Sequence, residues 1–248
     1  MRRLALVAAA VAALALPGCG GGDDALTVAA ASSLKIALTD YGGTFDRPKA
    51  RFSFAGSDEL AAQIRKGARP DVFASANTKL PDDLHDEGLV GTPVTFAANR
   101  LVIAVPAGSA TASLKDLERK GTTLALGSES VPIGSYTRTV LSKLPESESA
   151  AILRNVRSEE PDVAGIVGKL TQGAVDAGFV YVSDVRATDG KLKAIELPES
   201  LQPTVAYGAA VVKGAKHPEA AKAFIDGLVD GDGQHALTAA GFEPPPAQ

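Results

Sequence analysis

Tryptophan is absent from this chain of 248 residues, cysteine and methionine occur once each, and histidine three times. One cysteine excludes a disulfide-stapled framework. His85, His217 and His235 with a single thiol are too few for a zinc or iron–sulfur centre, so no metal site and no cofactor is expected. Aromatic residues make up 5% of the chain, which leaves little for stacking on sugars or nucleobases. Blocks of like charge are missing as well. The 25 basic and 29 acidic side chains are interspersed, for a net charge of −4, and no basic arm or stripe marks a nucleic-acid partner. No apolar run reaches the roughly 20 residues that a bilayer span needs. What is present is an ordinary globular balance, 45% hydrophobic and 22% charged, which argues against a disordered chain. At about 150 residues per domain, the length fits one large domain or two lobes.

The amino end has its own pattern. Met1-Arg2-Arg3 is basic, Leu4 to Leu16 is uninterruptedly apolar, and Leu16-Pro17-Gly18-Cys19 follows. This is the layout of a secretory leader. Its last four residues resemble the bacterial lipobox, in which a cysteine is acylated and becomes the new amino terminus, and the chain's one cysteine stands at that place. Residues 1–18 are therefore expected to be a lipoprotein signal peptide, Cys19 the lipidation site, and residues 19–24 a flexible tether. Cleavage removes Arg2 and Arg3, leaving 25 − 2 = 23 basic against 29 acidic side chains, or −6. A protein exported to a compartment without ATP is a poor candidate for a kinase or a nicotinamide-dependent dehydrogenase.

Past the tether, short apolar runs alternate with helical patterns. Leu26–Ala31, Ala50–Phe54, Asp71–Ser75, Leu101–Val105, Thr123–Leu126, Ala177–Val182 and Val205–Val212 read as strands. Between them lie stretches such as Asp58–Lys66 and the run Val163, Ile166, Val167, Leu170, whose spacing is that of an amphipathic helix. Alternation of this kind predicts an α/β fold with mostly parallel sheets. In such folds ligands sit beyond the carboxyl ends of strands, against helix amino termini.

Four strand-to-helix junctions are built from small and hydroxyl residues: Ala29–Ser33, Phe54–Glu59, Val131–Tyr136 and Glu160–Val163. None carries a basic residue at its turn. A helix amino terminus leaves unpaired N–H groups and about half a positive charge. Converging termini with hydroxyls would hold a fully deprotonated oxyanion without any Lys or Arg. Each junction taken alone is also what an ordinary helix cap looks like.

Val28-Ala-Ala-Ala-Ser32, Phe54-Ala-Gly-Ser57, Asp71-Val-Phe-Ala-Ser-Ala76, Val131-Pro-Ile-Gly-Ser-Tyr136, Asp162-Val163, Gly178-Phe-Val-Tyr-Val-Ser-Asp184 and Gly241-Phe242 occur in this order over nearly the whole mature chain. In these pieces the chain resembles the molybdate-binding proteins of bacterial ATP-binding-cassette (ABC) importers, a family of class II solute-binding proteins. The resemblance implies a two-lobed periplasmic-binding-protein-like α/β fold, each lobe a mostly parallel sheet flanked by helices. It implies capture of molybdate or tungstate in the interlobe cleft, delivery to an ABC permease, and a monomeric protein held outside the cell membrane through lipid on Cys19. By motif position, Ser32 and Ser57 would donate hydroxyls, Ile133 and Val163 backbone N–H groups, and Tyr181 its phenol. The Ser32-Ser33 doublet is one residue longer than the family's usual loop, so Ser33 is an alternative donor to Ser32. Asp58 stands where a neutral hydroxyl residue is common, a choice that the helix dipole accounts for. The apolar strands Leu101–Val105 and Val205–Val212 are expected to cross between lobes, with 25–98 and 207–248 in one lobe and 99–206 in the other.

Rival readings make different demands. Sulfate needs donors only, like molybdate, and differs in size. Monohydrogen phosphate needs a proton acceptor, for which Asp58 is the one candidate beside a donor loop. A serine hydrolase would need a nucleophile–base signature; Gly-x-Ser-x-Gly is absent, and the three histidines lie in charged or C-terminal helical stretches. A purely structural lipoprotein would need no ligand at all.

Overall fold

A computed structural model describes residues 24–45 and 48–246. The expected leader, Cys19 and all of the tether but Asp24 lie outside the described residues. The described chain starts with β1 (Leu26–Ala31), a 3-10 turn at Ser32–Leu34, α1 (Lys35–Thr44), β2 (Ala50–Ala55), α2 (Ser57–Arg65), β3 (Val72–Ser75), α3 (Lys79–Asp86) and β4 (Val94–Asn99). It continues with β5 (Leu101–Pro106), β6 (Leu124–Gly127), α4 (Pro132–Ser142), α5 (Glu146–Leu153), β7 (Val156–Glu160) and α6 (Val163–Thr171). The remainder is β8 (Ala177–Tyr181), α7 (Val182–Arg186), β9 (Leu192–Glu196), β10 (Val205–Val211), α8 (Pro218–Val229) and α9 (Asp232–Ala239).

The strands make two five-stranded sheets, ordered β2-β1-β3-β10-β4 and β7-β6-β8-β5-β9. Strand for strand these are the same arrangement, although no sequence repeat announces it. In each sheet four strands point one way and one opposes them: β10 runs antiparallel to β3 and β4, and β5 to β8 and β9. The opposing strand is the one that enters from the other sheet. β5 follows β4 across Arg100, and β10 follows the return through residues 197–204. A strand entering at the interlobe side starts where its neighbours end, so it has to run against them. Leu101 accordingly pairs with Tyr181, the last residue of β8, and Val205 with Asn99, the last of β4. The carboxyl ends of both sheets therefore face each other.

This geometry corrects two expectations. β5 and β10 do not cross between lobes. Each is paired on both sides within one sheet, and the crossings are Arg100 and 197–204, just before them. Asn99, Val205 and Ala206, expected in the second lobe, are paired in the first sheet. The strand pattern also missed β4, β7 and β9, all of which are sheet edges. An edge strand is only partly covered, and β7 (VRSEE) and β9 (LKAIE) carry the polar residues that such exposure permits. Central β5, by contrast, is buried from Leu101 to Val105. Each such apolar side chain contributes about 1.5–3 kcal/mol on burial.

Local chemistry sets where the cleft helices begin. Pro132 opens α4 at a position where no N–H is needed. Gly134 lets its first turn tuck under the β6 end, since a Cβ there would stand 1.8 Å from the Ser128 carbonyl oxygen. Asp162 caps α6 by accepting from the Gly165 N–H at 2.9 Å.

Candidate functional site

Between the facing strand ends lies a small cavity of about 10 Å³, too small for an organic solute. Its lining comes from both lobes. The first contributes Ser32 and Ser33 after β1, Gly56 and Ser57 after β2, and Ala76 after β3. The second contributes Val131–Ile133 at α4, Asp162 and Val163 at α6, and Tyr181 at the end of β8. All six residues singled out by sequence, Ser32, Ser33, Ser57, Ile133, Val163 and Tyr181, thus meet on one cavity. No lysine or arginine lines it.

Most polar groups of the lining are donors. Ser57 is 1% exposed, and its Oγ accepts from the Ala76 N–H at 3.1 Å. That bond occupies a lone pair and leaves the hydroxyl proton to point elsewhere. Ser57 and Val163 are the first residues of α2 and α6 and Ile133 is the second of α4. Their N–H groups have no intrahelical acceptor. Ser33 Oγ is paired with Tyr207 Oη at 3.1 Å, whereas Ser32 Oγ has no partner among the described residues. The doublet is thereby divided between a strut and an unengaged hydroxyl.

Tyr181 is the exception among the buried polar groups of the lining. It is 1% exposed, and its hydroxyl oxygen is buried without a hydrogen-bond partner among the described residues. Leaving a buried polar group unmatched costs about 1–3 kcal/mol, and such groups are rare enough to require a reason. Burial, reinforced by nearby Tyr207 and Tyr136, holds the phenol well above its ordinary pKa, so it stays a neutral donor. Its ring packs edge-on to Tyr207 at 5.9 Å, and its backbone N–H donates to Asp184 Oδ2 at 3.0 Å. Burial pushes Asp184 up to about 7. The only carboxylate in the lining, Asp162, has Oδ1 engaged in capping α6.

The Bacterial extracellular solute-binding protein family model matches residues 26–243. The chain belongs to this family. Among curated relatives it is similar to the molybdate-binding protein ModA of Mycobacterium tuberculosis H37Rv, with 36% identity over 231 residues, 90% of this chain and 86% of the relative. It is also similar to ModA of Escherichia coli K12, with 32% identity covering 91% of each chain. Among solved structures, the periplasmic molybdate-binding protein of Azotobacter vinelandii superposes with a TM-score of 0.79, covering 89% of this chain and 99% of that one. Its identity is 23%, so that likeness speaks for the fold. Family membership places the chain among extracytoplasmic solute-binding components.

Sequence reasoning missed two contributors. Ala76 looks like filler in Ala74-Ser75-Ala76, and only the fold brings its N–H to Ser57. Tyr207 braces Ser33 from a strand 174 residues further along the chain. Asp58, weighed as a proton acceptor for phosphate, does not line the cavity. Its Oδ2 accepts instead from the Ser130 hydroxyl of the other lobe.

Proposed function

We propose that this protein captures molybdate, or tungstate, in the interlobe cleft and delivers it to an ABC importer. The observation that carries the reading is the buried, unpartnered Tyr181 hydroxyl in a cavity of donors that holds no basic side chain. A fully deprotonated tetrahedral oxyanion accepts from every direction and matches such a lining. Ser32, Ser57 and Tyr181 would donate hydroxyls, and Ile133 and Val163 backbone N–H groups. Ser33 serves as the brace on Tyr207.

The protein acts as a carrier and performs no chemistry on the anion. It requires no cofactor, acts as a monomer, and is anchored outside the membrane through lipid on Cys19. Monohydrogen phosphate would need an acceptor for its proton, and the lining has one carboxylate, Asp162, whose Oδ1 is engaged in capping α6. Sulfate satisfies the same donors, and size alone separates it.

Thermal melts of the mature protein carrying Cys19→Ser, with molybdate, tungstate, sulfate and phosphate, test the reading. Molybdate and tungstate are expected to raise the melting temperature at sub-millimolar levels. Saturation at 100 times the dissociation constant is worth about 2.7 kcal/mol. Stabilisation by sulfate or phosphate in place of molybdate would overturn the assignment.

A further inference from the structure

The cleft carries a cross-lobe contact that the anion site does not use. Asp58, the second residue of α2, and Ser130, in the turn between β6 and α4, belong to different lobes. The Ser130 hydroxyl donates to Asp58 Oδ2 at 2.5 Å. Beside it the lobes touch through backbone. A Cβ on Gly56 would stand 2.4 Å from the Pro161 carbonyl oxygen of the other lobe and 2.9 Å from Asp58 Oδ1. The Asp58 side chain is therefore folded back over Gly56, at the seam where the two lobes meet.

Neither Asp58 nor Ser130 lines the cavity, so neither serves as a ligand group. Yet Asp58 directly follows the donor Ser57. A carboxylate there, if free to swing, would oppose an incoming dianion. Its retention at the second position of α2 agrees with the helix dipole, but the dipole does not explain why it reaches across to a serine. A hydroxyl donating to a carboxylate is a charge-assisted hydrogen bond; this one lies at the solvent-exposed rim of the seam and can exist only with the lobes together.

We infer that Asp58 and Ser130 form a clasp that holds the cleft shut over its captured anion and sets how long the anion stays. Ser130 also keeps the carboxylate turned away from the site. The identity of the anion rests on the function proposed above; the clasp itself does not.

The test places a fluorophore pair at Lys66→Cys and Lys143→Cys, at the outer ends of α2 and α4, in the Cys19→Ser protein. Interlobe energy transfer is followed after rapid dilution of molybdate-loaded protein. Ser130→Ala and Asp58→Ala are each expected to speed dissociation about 3–10-fold, and the double variant no more than either alone, because both remove one bond. Asp58→Asn keeps an acceptor oxygen and is expected to stay within about 3-fold of the parent. A parental dissociation rate in Ser130→Ala, or additive effects in the double variant, would overturn the clasp. If the parent does not respond to molybdate, the anion assignment fails, and the clasp is still read from energy transfer without anion. There Ser130→Ala is expected to shift the distribution toward longer distances, and an unchanged distribution refutes the clasp.

Discussion

Tyr181→Phe separates a binding donor from a packing residue, because the two roles predict opposite signs. The substitution deletes only Oη and leaves the ring on Tyr207 at its 5.9 Å spacing. In the anion-free protein that oxygen is buried with no partner among the described residues. Its removal relieves a desolvation cost of about 1–3 kcal/mol and forfeits no bond. For a chain of this size, each 1 kcal/mol moves the melting temperature by about 2–4 °C, so the anion-free variant is expected to melt several degrees higher. On the function proposed above, the same oxygen donates to a charged acceptor in the complex, a bond worth about 1.5–3 kcal/mol. Affinity is therefore expected to fall roughly 10- to 150-fold. Calorimetric melting without anion and titration calorimetry with molybdate measure the two quantities on one preparation. A variant that melts lower than the parent and binds molybdate equally well would refute the reasoning, since it would show the hydroxyl working inside the fold.

The other expectations concern single groups. Ser57→Ala is expected to weaken molybdate binding by about 1–3 kcal/mol and to cost some stability too, because the Ala76 N–H loses its acceptor; unchanged affinity by titration calorimetry would remove Ser57 from the site. Gly134→Ala drives a Cβ into the Ser128 carbonyl oxygen and should lower stability by at least about 2 kcal/mol in urea melts, since the backbone there has to shift. Burial makes Asp184 bind its proton more tightly in the folded chain, at about 7, than at its ordinary value of 3.8. Its stabilising contribution is thus complete below about 3.8 and is lost as pH rises through about 7. The melting temperature of the parent relative to Asp184→Asn should therefore fall between pH 5 and pH 8, and a constant difference would refute the shift. Cys19→Ser should move the protein from the membrane fraction to the soluble fraction, and retention in the membrane would reject lipidation.

The parts of this structure that could be read from sequence are those whose cause is local. Strands at sheet centres are buried on both faces, so β1, β3, β5, β8 and β10 show as apolar runs. The edges β7 and β9 are polar enough to pass for loop. β2 was the edge that could be seen, because its alternation in ARFSF survives. The cavity lining was legible in part for the same reason: the first turns of α2, α4 and α6 announce themselves by small residues, glycine and capping carboxylates. Tyr181 was not. Nothing in Gly178-Phe-Val-Tyr181 separates a cleft phenol from a core one, and its assignment came from resemblance. Its lack of a partner is a property of the assembled fold. The crossing points were misplaced by a few residues because apolar runs mark where a strand is buried, whereas the crossing itself needs a short, solvated link. Arg100, paired with Glu199 at 2.6 Å, has that character.

On the function proposed above, neutral donors on both sides of the cleft also explain how capture and closure are joined. Bringing the lobes together without an anion would bury the Tyr181 hydroxyl and the first-turn N–H groups of α2, α4 and α6 with nothing to accept from them. At about 1–3 kcal/mol for each group left unmatched, these costs offset much of what the backbone contact at Gly56 and Pro161 and the bond between Ser130 and Asp58 supply, so closure without an anion is only marginally favoured. With an oxyanion present the same groups become charge-assisted bonds in a site shielded from water, where they are strongest. The anion therefore binds the closed arrangement far better than the open one, and that differential affinity is what a ligand needs to shift a two-state equilibrium. A lysine in the cleft would weaken this coupling. It would attract the anion in the open state as well, and a cation can be solvated while it waits. Neutral donors from both lobes make affinity conditional on closure.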